Sequence, residues 1–189
     1  IHLFFASQFQ LERYTYNKIK SNENDFERDI NDFFKNGGVG LNVTVPFKGL
    51  AYNLCDELDQ SAELCKSVNT VLIDSGKLIG HSTDGQGLID DFLHKEITLE
   101  DSKILIIGAG GSAASIISSL LFDGKIKEIS ILNRTKSNAL RLLDLFETNR
   151  LLMHKEGDEY DIVINTTPIS MNLDDIILPA ELIINKPIC

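Results

Sequence analysis

Cysteine is scarce in this sequence, and so is positive charge. The 189 residues include three cysteines, Cys55, Cys65 and Cys189, an odd number without a C-x-x-C pair. That argues against a disulfide framework and a cysteine-based zinc site, and leaves buried or idle thiols in a reducing compartment. The four histidines, His2, His81, His94 and His154, show no metal spacing such as H-E-x-x-H, so no metal is expected. Lysine and arginine number 18 against 28 acidic residues, giving a net charge of −10 and a pI near 4.8. No nucleic-acid partner is expected, because phosphate backbones are bound by neutralising them with Lys and Arg. An anionic ligand would have to be caught by a local cluster of donors. Long apolar runs are missing too. Ile104 to Ile107 and Ile116 to Phe122 fall well short of the roughly 20 residues of a membrane span. No basic-then-apolar secretory signal opens the sequence. The expectation is a soluble, cytoplasmic globular chain.

What is present is punctuation by glycine. Three joints, Asn36-Gly37-Gly38-Val39-Gly40, Thr83-Asp84-Gly85-Gln86-Gly87 and Gly108-Ala109-Gly110-Gly111, separate β-rich runs from helical ones, with no internal repeat. Phe26, Ile30, Phe33 and Phe34 lie at helical spacing within Asn24 to Lys35, and the glycine pair that follows suits a C-cap. Leu41 to Val45 reads as a short strand halted by Pro46, and Lys48 to Cys65 as one or two helices. Ser67 to Ile73 and Lys77 to His81 flank the turn Asp74-Ser75-Gly76 as a hairpin, and Leu88 to His94 is helical.

From Asp101 onward the pattern sharpens. Lys103 to Ile107 is an apolar run of the kind buried on both faces of a parallel sheet. A helix over Ser112 to Phe122, a strand over Glu128 to Leu132, a helix over Ser137 to Phe146 and a strand over Asp161 to Asn165 follow. This alternation predicts a doubly wound, Rossmann-like α/β sheet. The composition turns polar between Glu96 and Ser102, which places a boundary between an N-terminal α/β domain, 1–98, and a second domain, 99–189.

Gly108-x-Gly110-x-x-Ala113 fits the dinucleotide fingerprint in its required context, after a buried strand and at a helix start. The first glycine permits the tight turn, the second lets backbone approach a pyrophosphate, and Ala113 allows close helix–strand packing. Helix N–H groups then supply donors without any basic side chain. A glycine-rich turn without a ligand is the competing reading. At the end of the next strand, Asn133-Arg134-Thr135-Lys136 has no acid to accept from a ribose 2′-hydroxyl. Arg134 and Lys136 suit a 2′-phosphate, which favours NADP over NAD; surface cations are the alternative. Upstream, Lys48 follows Asn42-Val43-Thr44-Val45-Pro46-Phe47 at a helix start, where an ammonium is electrostatically unfavourable. Asp84 lies in Ser82-Thr83-Asp84-Gly85, which could equally be a plain turn or N-cap. One lysine, one carboxylate and a dinucleotide would suffice for carbonyl reduction.

At these residues the sequence resembles the shikimate dehydrogenase family. Six motifs carry the resemblance in order: Asn42 to Lys48, Ser67-Val68-Asn69-Thr70, Ser82 to Gly85, Gly108 to Gly111, Asn133-Arg134-Thr135, and Asn165-Thr166-Thr167-Pro168 with Met171. The resemblance implies an NADP-dependent enzyme that reversibly reduces 3-dehydroshikimate to shikimate in aromatic amino-acid biosynthesis. It implies Lys48 and Asp84 as the catalytic pair, with Thr44 and Asn69 joining them around the small-molecule substrate. It assigns NADP to Gly108, Ala109, Gly110, Gly111, Ser112, Ala113, Asn133, Arg134, Thr135, Lys136, Asn165, Thr166, Thr167, Pro168 and Met171. Three places depart from the family pattern. Ser82 stands for its Asn, Thr166 and Ser170 for its Ala and Gly, and Asn138 for a basic residue whose role Lys136 can take. The family pattern also has a Ser-x-Ser contact ahead of the Ile1-His2 pair and Tyr and Gln contacts later, with Ile184 where the Tyr would be. The expectation is therefore two domains incomplete at both ends. A quinate/shikimate dehydrogenase using NAD and a non-catalytic relative that binds NADP or a shikimate-like ligand are the alternatives.

Overall fold

In the computed structural model, which describes residues 2–123 and 125–167, the chain divides into two units, Ile1–Gly38 and Val39–Cys189. The first holds α1 (His2–Gln8) and α2 (Phe26–Lys35). Phe26 and Ile30, one turn apart on α2, are its buried residues, while Glu27 and Asp29 in the first turn and Lys35 in the last complement the helix dipole. The glycine pair ends the helix as expected. Gly37 takes a left-handed φ of +89°, and the N–H groups of Gly37 and Gly38 return to the carbonyls of Phe34 and Phe33 at 3.1 and 3.0 Å.

The second unit begins with a mixed sheet of β1 (Gly40–Asn42), β2 (Glu57–Leu58), β3 (Thr70–Asp74) and β4 (Lys77–His81), in the order β1-β3-β4-β2. Only β2 and β4 run parallel. Ser75 and Gly76, at φ of +50° and +81°, make the hairpin turn as the sequence suggested. β1 is shorter than Leu41 to Val45. Val43 N still bonds Asn69 O at 2.7 Å, but the chain then turns, with Phe47 N donating to Thr44 O at 2.9 Å. Between Lys48 and Cys65 lie two helices, α3 (Lys48–Leu54) and α4 (Gln60–Cys65), with β2 between them. Two aspartates hold that segment on β4. Asp56 N donates to Leu78 O while Leu78 N donates to the Asp56 carboxylate, and Asp59 N donates to Gly80 O. Asp59 also caps α4 by accepting from Ala62 N at 2.7 Å. Helix α5 (Asp84–His94) starts four residues before the expected Leu88.

The change of sheet falls between His81 and Lys103. The second sheet, β5 (Lys103–Ile107), β6 (Glu128–Leu132), β7 (Leu151–Met153) and β8 (Ile162–Asn165), is wholly parallel in the order β7-β6-β5-β8. Strands β5 and β6 coincide with the sequence reading; β7 is an addition, an apolar triplet too short to stand out by pattern. Ile104, Ile106, Ile129 and Ile131 form a buried core with Ile117 and Leu120 of α6 (Gly111–Asp123) and Ala139 and Leu142 of α7 (Lys136–Phe146). The fold is α/β, with a Rossmann-like parallel sheet after a smaller mixed one. Because β5 has β6 on one side and β8 on the other, the winding reverses there, which opens a crevice beyond their carboxyl ends.

Candidate active site

Four short loops meet at that crevice. Lys48 is the first residue of α3, where the helix dipole opposes its charge, and the ammonium is compensated by other elements. Lys48 Nζ lies 2.6 Å from Asp84 Oδ2 and donates to Ser112 Oγ at 2.8 Å. Asp84 opens α5, where a carboxylate is favoured by the dipole, and Ser112 lies in the first turn of α6. The other carboxylate oxygen accepts from Asn69 Nδ2 at 2.6 Å, and Asn69 Oδ1 accepts from Thr83 N at 3.1 Å. Side-chain exposures of 11% for Lys48 and 27% for Asp84 make this a largely desolvated pair open to the crevice on the carboxylate side. Burial is the largest influence on the Asp84 carboxyl and pushes it up. The hydrogen bond and charge of Lys48, with bonds from Asn69 and Ser112, together outweigh burial and hold it below its ordinary value. The carboxylate therefore stays charged through the neutral range.

Hydroxyls fix the backbone under this pair. Ser82, Ser115 and Cys65 are buried. Cys65 Sγ donates to Ser82 Oγ at 3.3 Å, Ser82 Oγ to Ser115 Oγ at 2.8 Å, and Gly85 N also donates to Ser115 Oγ at 3.1 Å. A Cβ on Gly85 would stand 2.3 Å from Ser115 O and from Ser119 Oγ, so only glycine lets α5 lie this close to α6. This contact brings Asp84 to the start of α6.

The glycine loop fits a dinucleotide. Gly108 has φ +115°, and a Cβ there would meet Thr166 Oγ1 at 2.3 Å. Among the described residues nothing would lie within 4 Å of a Cβ on Gly110, so a phosphate has room against that backbone at the α6 N-terminus. Ala109 is buried within the loop, and Ala113 packs fully buried in the core. Arg134, Thr135 and Lys136 are exposed after β6, and Asn133 Nδ2 bonds Thr135 O at 2.8 Å. Asn165 ends β8 and accepts from Thr167 N and Oγ1, while Thr166 Oγ1 donates to Ile107 O at 2.9 Å. Thr44 is exposed in the turn before α3 and makes no side-chain hydrogen bond to Lys48 or Asp84 among the described residues. Pro168 and Met171 lie outside the described residues. No group of three or more His, Cys, Asp or Glu among the described residues is placed to hold a metal.

A family model described as the shikimate dehydrogenase substrate binding domain matches residues 1–71, and one described as shikimate / quinate 5-dehydrogenase matches residues 92–175. The chain is 40% identical over 190 residues to the shikimate dehydrogenase (NADP(+)) of Legionella pneumophila, covering 100% of this chain and 71% of that protein. The chain belongs to the shikimate dehydrogenase family. It is 41% identical over 177 residues to the Vibrio campbellii protein of the same name, covering 91% of this chain and 63% of the relative. Shikimate 5-dehydrogenase from Thermus thermophilus, crystallised with NADP(H) and shikimate, matches with a TM-score of 0.77 and 26% identity, covering 88% of this chain and 61% of that one. The chain thus spans 63 to 71% of the length of these two curated relatives.

Two departures from the shikimate dehydrogenase pattern acquire a physical reason. Ser82 is short enough to sit buried between Cys65 and Ser115. Thr166 uses its added hydroxyl to bond the carbonyl just before Gly108. Sequence reasoning missed Ser115 and the side-chain role of Ser112, because serine on a helix carries no periodic signal. The close approach of α5 to α6 was foreshadowed only by Gly85.

Proposed function

We propose that this chain carries the catalytic pair and cofactor loop of an NADP-dependent shikimate dehydrogenase, reversibly reducing 3-dehydroshikimate to shikimate in the cytoplasm. The observation that carries the reading is the Lys48–Asp84 ion pair, 2.6 Å long, set against the first turn of the helix that the glycine loop opens. Residues up to 98 supply the substrate side and those from 99 the cofactor side. Bound NADPH supplies the hydride that goes to the ketone carbon. The Lys48 ammonium donates a proton to the ketone oxygen as negative charge develops there, so hydride plus proton converts C=O to CH–OH. In the reverse direction the neutral amine takes the hydroxyl proton. Asp84, charged at neutral pH, holds the ammonium in place, and Asn69 fixes the carboxylate from its far oxygen. Thr44, Asn69, Lys48 and Asp84 bind the ring hydroxyls. Asn133, Arg134, Thr135 and Lys136 take the adenosine end, with the positive pair on the 2′-phosphate.

The test is the absorbance change at 340 nm when full-length protein meets shikimate with NADP. Reduction with NADP supports the reading, and reduction of NAD alone with quinate or shikimate overturns the cofactor assignment. Replacing Arg134 by Asp removes one charge-assisted bond worth roughly 1.5–3 kcal/mol. NADP affinity should then fall at least about tenfold in a fluorescence titration, with much less effect on NAD. Equal losses for both cofactors would take Arg134 out of the 2′-phosphate site.

A further inference from the structure

An ammonium has three N–H donors in tetrahedral array. A single acceptor leaves the group free to spin about that bond, so the directions of the other two protons are not fixed. Lys48 has two acceptors on different elements, Asp84 Oδ2 on α5 and Ser112 Oγ on α6. With two N–H directions fixed, the third is determined, and among the described residues no third acceptor takes it. Backbone packing supports the same register. A Cβ on Gly111 would stand 2.5 Å from Ser67 Oγ and 3.2 Å from Lys48 Cβ, so the lysine stem lies directly on the glycine loop. A cavity lined by Pro46, Lys48, Ser67, Gly110 and Gly111 runs along this contact.

We propose that Ser112 is a positioning residue whose hydroxyl, together with Asp84, aims the transferable proton of Lys48 and keeps that aim in register with the cofactor loop. The inference rests on the dehydrogenase reading above and assigns the Ser112 side chain a task separate from its backbone. The backbone of the α6 first turn would hold the cofactor phosphates, while the hydroxyl accepts from the ammonium. The ammonium on α3 is thereby tied to the same first turn of α6 that would hold the cofactor. Asp84 supplies the charge that retains the ammonium, and Ser112 supplies the direction. Reaction rate is sensitive to such alignment even when binding is not.

Ser112→Ala and Ser112→Thr, made in the full-length protein, test this. Loss of the hydroxyl should lower kcat about tenfold, with KM for shikimate and Kd for NADP within about twofold of the parent. Threonine, which keeps the oxygen, should recover kcat to within about threefold. A second readout does not depend on turnover. Acylation of Lys48 by a small amine-reactive reagent, followed by mass spectrometry against exposed lysines, should quicken in Ser112→Ala and not in Ser112→Thr. Unchanged kcat and unchanged labelling in Ser112→Ala would overturn the proposal, as would a loss confined to NADP affinity. Should the parent protein reduce no cofactor with shikimate, the dehydrogenase reading fails, and the labelling comparison alone decides whether Ser112 holds the ammonium.

Discussion

In the parallel sheet, Ile104, Leu105 and Ile106 of β5 and Ile129 and Ile131 of β6 are wholly shielded from solvent. In the mixed sheet only Val71 of β3 and Gly80 of β4 are buried. The parallel sheet is held by apolar burial. The mixed sheet is tied largely by polar groups: Asp56 to the β4 backbone, Asp59 to His81 at 3.0 Å, and Lys77 to Glu57. The site draws on both. The segments flanking the thinly buried sheet carry Lys48 at the start of α3, Asn69 just before β3 and Asp84 at the start of α5. The well-buried sheet contributes a loop whose backbone position is fixed by the strand before it. Under the proposed function this polar network stays open to a ligand and cannot also be a dry core, which divides stability from chemistry.

The largest expected effect breaks chemistry without breaking the fold. Lys48→Ala in the full-length protein should lose turnover by about 10²–10⁴-fold, the usual scale for general acid–base help. Cofactor affinity should stay near that of the parent, because the glycine loop keeps its backbone. Steady-state kinetics and a cofactor titration on the same preparation check both arms. Near-normal turnover would remove Lys48 from the chemistry.

The converse is Ile106→Ala, which attacks the parallel sheet where no ligand is expected. Ile106 has no solvent exposure, and such a truncation costs about 2–5 kcal/mol through lost transfer energy and the cavity left behind. Urea unfolding should show a lower midpoint with an unchanged slope. Its loss should exceed that of Lys48→Ala, since in the latter Asp84 keeps its Asn69 bond and some access to water. A smaller loss for Ile106→Ala would contradict the division of labour.

That division also governs what could be read in the sequence. Strand β5 was legible because residues buried on both faces form the unbroken apolar run Ile104 to Ile107. Strand β6, whose isoleucines are interrupted by Ser130, was legible because it follows in the strand–helix alternation. The glycine loop was legible because Gly108 takes a φ of +115°, which favours glycine, and because Gly110 leaves its backbone face open for a phosphate to approach. The mixed sheet was harder. β2 rests on two residues held by Asp56 and Asp59, a tertiary hydrogen-bond pattern without a periodic signature. The family resemblance named Lys48 and Asp84 as a pair, but no spacing in the sequence shows their contact across 36 residues, which depends on how closely α5 lies on α6. Gly85 and Ser115 set that distance, and it cannot be deduced from spacing alone. The hydroxyl of Ser112 was hidden for the same reason.

A smaller effect concerns acid. The folded Asp84 carboxyl lies below its ordinary value, so its ionised form is favoured by the native state. Its stabilising contribution is complete above the unfolded carboxyl's pKa of about 3.9 and is lost as pH falls through the lower folded value. Stability should therefore drop on acidification below about pH 4, and Asp84→Asn should flatten that part of the curve. Urea midpoints at pH 7 and pH 3 for both proteins measure it. The same acid slope in both would mean that Asp84 is not the group being protonated.

The smallest effect sharpens the comparison by removing a polar tie that has little to protect. Lys77 Nζ meets Glu57 Oε1 across β4 and β2, but the two side chains are 59% and 51% exposed. Water screens such a pair, and ordering two long side chains costs entropy, so exposed pairs contribute about 0–1 kcal/mol. Lys77→Ala should move the urea midpoint by an amount near the lower end of that range, and the difference should shrink further at 1 M salt, where the screening length is about 3 Å. The Asp56 ties carry the larger share of the β2–β4 pairing, because Leu78 N donates directly to that carboxylate at 2.8 Å and loses this partner when the carboxylate is removed. Asp56→Ala is thus the matched control and should destabilise more than Lys77→Ala. If the lysine variant proves the less stable of the two, surface charge rather than backbone satisfaction holds β2 in place.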